Sequence, residues 1–252
     1  MTYNDDVHRF YAPDLDRSRS DVVLSGEESH HLVRVLRLVR GDEVVVFDGR
    51  GHEYLARVVR ADRHATAVAV VDALAPSPEP PIAIVLAQAV LKGDKMDGVV
   101  RDATMAGVSR IVPLVSERTF AKLSSLARAH AVERWQRVAV SSAKQCRRSR
   151  LPDIEAPMQF LKWLETPFEG RRLLLAEPQT GAAAHTLREV LDASAARPVC
   201  CIVGPEGGWT VEERRAAENA GCPPVTLGPM TLRADAAGLV AVSVVSFALE
   251  NP

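Results

Sequence analysis

Two segments near the C-terminus hold the residue types best suited to chemistry: Gly204-Pro205-Glu206-Gly207-Gly208-Trp209 and Leu227-Gly228-Pro229-Met230-Thr231-Leu232-Arg233-Ala234-Asp235-Ala236-Ala237. The first is a Gly-rich turn between an apolar run, Pro198 to Val203, and a helix start. Such a turn exposes backbone N–H groups and admits a ligand closely. It is neither a dinucleotide G-x-G-x-x-G nor a P-loop, because no Gly-Lys-Ser/Thr follows. A dinucleotide fold would also place its Gly-rich turn after the first strand, and here it comes late. In the second segment Arg233 is a lone cation at a helix start, where the macrodipole disfavours it. It therefore needs an anionic partner or a surface orientation. Asp235 suits an N-cap, and capping alone would account for it without catalysis. On local chemistry, a structural turn and a ligand loop explain Gly204–Gly208 equally.

A third segment, Leu175-Ala176-Glu177-Pro178, ends another apolar run. Three loops at one sheet edge would make a pocket, since ligands of open α/β sheets bind at the carboxyl ends of strands. Glu177 is either a ribose-hydroxyl ligand or a solvated loop charge. Basic residues cluster at Arg34-x-x-Arg37-x-x-Arg40, at Lys92 with Lys95, and at Lys144-Gln145-Cys146-Arg147-Arg148-Ser149-Arg150. Such local density is what phosphate contacts need, and a solvated helix end is the ordinary alternative. No interleaved aromatic pattern of the stacking-platform kind accompanies them. His30 and His31 are adjacent, so on a helix they diverge by about 100° and do not share a metal. Ser141 and Ser142 lack a G-x-S-x-G context, which disfavours a hydrolase.

The elements that must position these loops fall on either side of a Pro-rich stretch. Four prolines stand among the six residues Pro76 to Pro81, which stops helix and central strand alike. Before it the pattern is mainly β: Glu43 to Phe47, a turn at Asp48-Gly49-Arg50-Gly51, Glu53 to Arg60 and Thr66 to Val71, with a helix expected over Ser29 to Leu38. After it, strands and helices alternate, which implies a mainly parallel sheet covered by helices. Strands are expected at Ile82 to Ala89, Ile111 to Val115, Arg172 to Ala176, Val199 to Val203 and Val225 to Leu227. Helices are expected at Asp94 to Gly107, Ala127 to Cys146, Met158 to Glu165, Thr186 to Ala193, after the capping box Thr210-x-x-Glu213, and over Asp235 to Glu250. The last has no polar face, so it is read as buried, either as a core helix or as one shared with a subunit interface.

Composition narrows the classes further. A chain of 252 residues with 47% hydrophobic and 25% charged residues has the make-up of an ordinary soluble protein of one or two domains. Its net charge of −1 supplies no global attraction to nucleic acid, so any such contact must be local. No apolar run nears the roughly 18 residues of a membrane span, and Met1 to Phe10 is unlike a secretory signal. The four cysteines include no C-x-x-C pair, which argues against zinc and for a reducing cytoplasm.

Taken in order along the chain, these segments resemble the RsmE-type ribosomal RNA methyltransferases of the SPOUT superfamily. The likeness rests on Gly204-Pro205-Glu206-Gly207-Gly208, Leu227-Gly228 and Leu232-Arg233. It also rests on Gln88-x-x-x-Lys92-Gly93-Asp94-Lys95-Met96-Asp97, Ala106-Gly107-Val108, Ser116-Glu117-Arg118-Thr119, Arg134-Trp135 and Lys144-Gln145-Cys146. In the N-terminal part His30-His31-Leu32-Val33-Arg34-Val35-Leu36-Arg37, Gly41-Asp42 and Phe47-Asp48-Gly49 fit as well. The resemblance implies a PUA-like RNA-binding β-barrel over 1–74, a Pro-rich linker over 75–81 and a SPOUT methyltransferase domain over 82–252, whose parallel sheet ends in a trefoil knot. It implies a homodimer that methylates N3 of a uridine in 16S ribosomal RNA, within the small subunit or a late precursor.

The same resemblance implies that S-adenosylmethionine is held by Leu175, Ala176, Glu177, Gly204, Glu206, Gly207, Gly208, Leu227, Gly228 and Leu232, and that no metal is needed. Arg233 is the candidate for stabilising the uridine anion, with Asp235 or Glu206 as base. Arg34, Arg37, Lys92, Lys95, Arg147, Arg148 and Arg150 are the candidate RNA contacts. One departure stands out: Ala234-Asp235-Ala236 replaces the family's more usual Thr-Glu-Thr. Two hydroxyls are gone and the acid is one carbon shorter. That leaves two alternatives: a SPOUT methyltransferase for another ribosomal or transfer RNA site, and a non-catalytic RNA-binding assembly factor.

Overall fold

A computed structural model describes residues 7–15, 21–178, 185–191 and 197–250. The chain divides into two compact units, one comprising residues up to Pro78 with Val140–Leu151, the other Glu79–Ala139 with the remainder from Pro152.

The first unit contains β1 (Arg9–Tyr11), β2 (Asp21–Val23), α1 (Gly26–His30), β3 (Glu43–Phe47), β4 (Glu53–Arg60) and β5 (Ala67–Leu74). They form one sheet in the order β1-β3-β4-β5-β2, antiparallel except for the β1–β3 pair. The two edge strands were not expected, because three residues are too few to show an alternating pattern. Val44, Val46, Tyr54, Ala56, Val58 and Val68 point inward from the long strands onto Phe10, Leu24 and Leu32. The helix expected over Ser29 to Leu38 starts earlier, where Ser25 Oγ accepts from Glu28 N, and then loosens into one π-helical turn, His31–Val35. It is over by Arg37, whose φ is +57°. At the β3–β4 turn the buried Asp48 carboxylate accepts from Arg50 N at 2.7 Å and His52 N at 3.1 Å, and meets His52 Nδ1 at 2.8 Å.

The second unit adds β6 (Ile84–Ala89), α2 (Lys95–Met105), β7 (Arg110–Val115), α3 (Leu123–Arg128), α4 (Ala131–Cys146), β8 (Asp153–Ile154), β9 (Met158–Gln159), α5 (Phe160–Leu164), β10 (Arg171–Leu175), β11 (His185–Thr186), α6 (Leu187–Val190), β12 (Val199–Val203), α7 (Val211–Asn219), β13 (Pro224–Thr226) and α8 (Ala234–Glu250). The end of α4 belongs to the first unit. All sheet pairings are parallel, in the order β11-β13-β10-β12-β6-β7-β8, with β9 also on β7. Central strands β6 and β12 are buried at every residue, as a sheet covered on both faces requires. One face carries α2 and α8 over Leu86, Cys201 and Leu173. The other packs Phe160, Trp163, Trp209 and Ala217 over Val85, Ala87 and Ile202. Burial pushes the Cys201 thiol up to about 12, so it serves as packing and not as a nucleophile.

Three expectations need correction. The helix expected over Ala127 to Cys146 is two helices, because His130 takes φ +47° and breaks the run. Met158–Gln159 pairs with β7 as a strand, and only Phe160–Leu164 is helical. The described part of the helix expected over Thr186 to Ala193 is a single turn, and residues after Leu191 lie outside the described set. Of the two readings left open for α8, a wholly buried core helix does not hold within the single chain, and a helix with one face left for an interface does. Ala237, Ala241, Val242, Val245 and Leu249 face the core, whereas Leu239, Val244 and the 70%-exposed Phe247 face outward within the single chain.

Candidate active site

The sheet order places β13, β10, β12 and β6 side by side, so the loops after them leave from neighbouring carboxyl ends. Three of those loops are the segments singled out from sequence. They line one hollow of about 640 Å³, within the range of small-molecule sites. Leu175, Ala176 and Glu177 come from the β10 loop, Gly204, Glu206, Gly207 and Gly208 from the β12 loop, and Leu227, Leu232, Arg233 and Asp235 from the β13 loop. Gly228 is the exception. It lines a separate hollow with Pro178, Thr186 and Val244, and does not face the main one.

The Gly-rich loop is held by bonds on both sides. Gly208 N donates to Pro205 O at 2.9 Å, and Gly208 takes φ +68°, a conformation costly for any side chain. A Cβ on Gly207 would stand 3.3 Å from Arg118 Cβ, and Arg118 Nη1 donates to Gly207 O at 2.8 Å. Downstream, Thr210 caps α7: Glu213 N donates to Thr210 Oγ1 at 3.1 Å and Thr210 N to Glu213 Oε2 at 3.0 Å. The other Glu213 oxygen accepts from Glu117 N at 2.8 Å, tying the Arg118 loop to the same helix. Below the loop, Trp209 stacks on Phe160 with centroids 4.2 Å apart. Gln88, fully buried at the end of β6, reaches Ala89 O and Gly204 O with its amide nitrogen.

Charges ring the opening. Glu206 Oε1 accepts from Lys95 Nζ at 3.0 Å and Lys92 N at 3.2 Å. Partial burial works to raise the Glu206 carboxyl, but its hydrogen bonds and the Lys95 ammonium outweigh that and hold it below the usual carboxylate range. Arg233 pairs with Asp235 through Nε at 3.0 Å and Nη2 at 2.7 Å. This is the anionic partner that its position demanded. The pair holds the Asp235 carboxyl down and raises the Arg233 guanidinium. Asp235 is therefore not an N-cap. It is the second residue of α8, and the cap position is Arg233, whose carbonyl accepts from Ala236 N at 2.9 Å and Ala237 N at 2.8 Å.

The candidate RNA contacts divide between the units. Arg34, Arg37, Arg147 and Arg150 are exposed in the first, and Lys92 is exposed beside half-buried Lys95 in the second. Arg148 is only 6% exposed, unlike Arg147 and Arg150 on either side of it. Lys144 is engaged by both Glu28 oxygens at 2.9 Å. Arg118, Gln88 and Trp209 had no role assigned from sequence, although all three stand in the motifs or next to the turn already singled out.

Comparison with known proteins matches residues 78–246 to the RNA methyltransferase domain family and residues 24–70 to the RNA methyltransferase PUA domain. The chain belongs to the RNA methyltransferase family. A relative from Synechocystis named ribosomal RNA small subunit methyltransferase E is 34% identical over 91% of this chain and 74% of its own length. One of the same name from Aquifex aeolicus is 30% identical over 94% of this chain and 98% of its own. Among solved structures, a Legionella pneumophila methyltransferase in complex with S-adenosylmethionine superposes with a TM-score of 0.88 at 30% identity, covering 96% of this chain and 98% of the other. A ribosomal RNA small subunit methyltransferase E from Neisseria gonorrhoeae, bound to S-adenosylmethionine, gives 0.86 at 29% identity over the same shares. The parallel-sheet unit is thus of the RNA methyltransferase type and the N-terminal sheet PUA-like, as the family expects.

Proposed function

We propose that this RNA methyltransferase uses S-adenosylmethionine to methylate N3 of a uridine in 16S ribosomal RNA. The observation that carries the reading is the convergence of three sequence-distant loops on one hollow. The chain fits the donor: glycine backbone lets a ligand lie against the β12 loop, Leu175, Leu227 and Leu232 give apolar contacts, and Glu177 can accept from ribose hydroxyls. When bound, S-adenosylmethionine supplies an electrophilic methyl group. The residues here would bind and orient it, and would handle the charge and proton of the uracil.

Neutral uracil carries a proton on N3, and its loss leaves negative charge on the flanking carbonyl oxygens. Arg233, 76% exposed at the mouth, is placed to favour that anion. Asp235, ionised and beside it, accepts the proton directly or through water. Glu206 is ionised too, but both its bonds run to Lys92 and Lys95, so we assign it to holding the Gly-rich loop. The pairing face of the base must be free, so the nucleotide is unpaired or flipped out.

The reading includes a homodimer, for which the outward apolar residues of α8 are the support. It includes a trefoil knot, for which the support is the insertion of β13 between the earlier strands β10 and β11. It places the enzyme on the small ribosomal subunit in the cytoplasm. Purified protein, 16S RNA or small subunits and labelled S-adenosylmethionine test it. Nucleoside mass spectrometry should find N3-methyluridine, and methyl groups solely at other positions would refute the assignment.

A further inference from the structure

Ser116 to Phe120 leave β7 as a tightly pinned loop. Ser116 N donates to Thr119 Oγ1 at 3.0 Å, Thr119 N to Ser116 O at 3.2 Å, and Glu117 N and Arg118 Nη1 bond outward to Glu213 and Gly207. At the end of this held segment the ring of Phe120 is 76% exposed. Lys92 Nζ stands 5.0 Å from the centroid of its ring. The Lys92 backbone is bonded to Glu206 in the wall of the hollow. Ring, ammonium and hollow are therefore linked by continuous contacts.

We propose that Phe120 and Lys92 form an RNA subsite beside the hollow, where the ring stacks on a nucleobase of the substrate and the ammonium meets a phosphate. The proposal rests on the RNA-methylation reading. An exposed ring offers a stacking surface, and every base has a π face to match it. Lys92 and Lys95 meet on Glu206, and Lys95 and Arg118 both line the hollow, so cations border the site, which suits a polyanion better than an apolar peptide.

Phe120→Ala should raise the KM for RNA about tenfold, leaving the calorimetric Kd for S-adenosylmethionine unchanged. Phe120→Trp should keep the wild-type KM, and its added fluorescence should be quenched by single-stranded RNA. Lys92→Gln should lower the slope of log affinity against log salt by about 0.7. Wild-type KM and RNA affinity in Phe120→Ala would overturn the subsite, as would a changed sedimentation coefficient, which would place the ring between copies of the chain. If wild-type protein transferred no methyl group to RNA, the activity reading would fail on its own, while RNA binding by the variants would still decide the subsite.

Discussion

Arg233 and Asp235 form a two-bond ion pair across the first turn of α8, with nitrogen–oxygen distances of 3.0 and 2.7 Å, at the rim of the donor hollow. The pair fixes the direction of an otherwise exposed guanidinium and keeps a carboxylate ionised beside it. Arg233→Ala is expected to lower kcat for RNA methylation roughly 100-fold, with little change in S-adenosylmethionine affinity. Single-turnover methyl transfer checks this, and wild-type turnover would remove Arg233 from the chemistry.

Gly207 has no room for a branched side chain between the hollow and Arg118 Cβ, 3.3 Å from where its own Cβ would lie. Gly207→Val is expected to weaken S-adenosylmethionine binding at least tenfold, or by more than about 1.4 kcal/mol. Calorimetry measures it, and unchanged affinity would mean the loop is only a structural turn.

Glu213 is 3% exposed and accepts from Thr210 N and Glu117 N on different segments. Glu213→Ala leaves the buried Thr210 N and the partly buried Glu117 N unpaired and should cost about 2–3 kcal/mol in urea unfolding. Thr210→Ala removes only the cap and should cost about 1 kcal/mol. Equal losses would contradict the double role of Glu213.

Asp48 is buried, which raises its carboxyl, but hydrogen bonds from His52 and Arg50 outweigh burial and set it below the ordinary value. Its folded value thus lies below the unfolded one near 3.9. The stabilisation is present above the unfolded value and is lost as pH falls through the folded one. Acid titration followed by unfolding should show this loss in wild type and a flatter acid limb in Asp48→Asn.

The outward face of α8 is read as the dimer seam. Phe247→Glu should yield monomers in analytical ultracentrifugation, and a wild-type sedimentation profile would argue that the seam lies elsewhere.

Much of this was legible in the chain. The capping box Thr210–Glu213 spans three residues, so composition and spacing suffice to see it. The Gly-rich turn, the parallel β/α alternation and the family motifs are local patterns of the same kind. The break at His130 was not legible, because the helical periodicity runs through it. Nor was the half-exposed state of α8, since an apolar sequence does not say which of its faces is covered.

By itself, the sequence determined where the candidate loops lie and which strands would carry them, because those preferences are settled within a few residues. Only the tertiary structure decided their partners. Arg118 meets Gly207 across 89 positions and Lys92 meets Glu206 across 114, and Phe120 is left standing beside Lys92. Such contacts depend on which strands lie side by side in the sheet, and strand order is set by the packing of the whole unit rather than by any local stretch of chain.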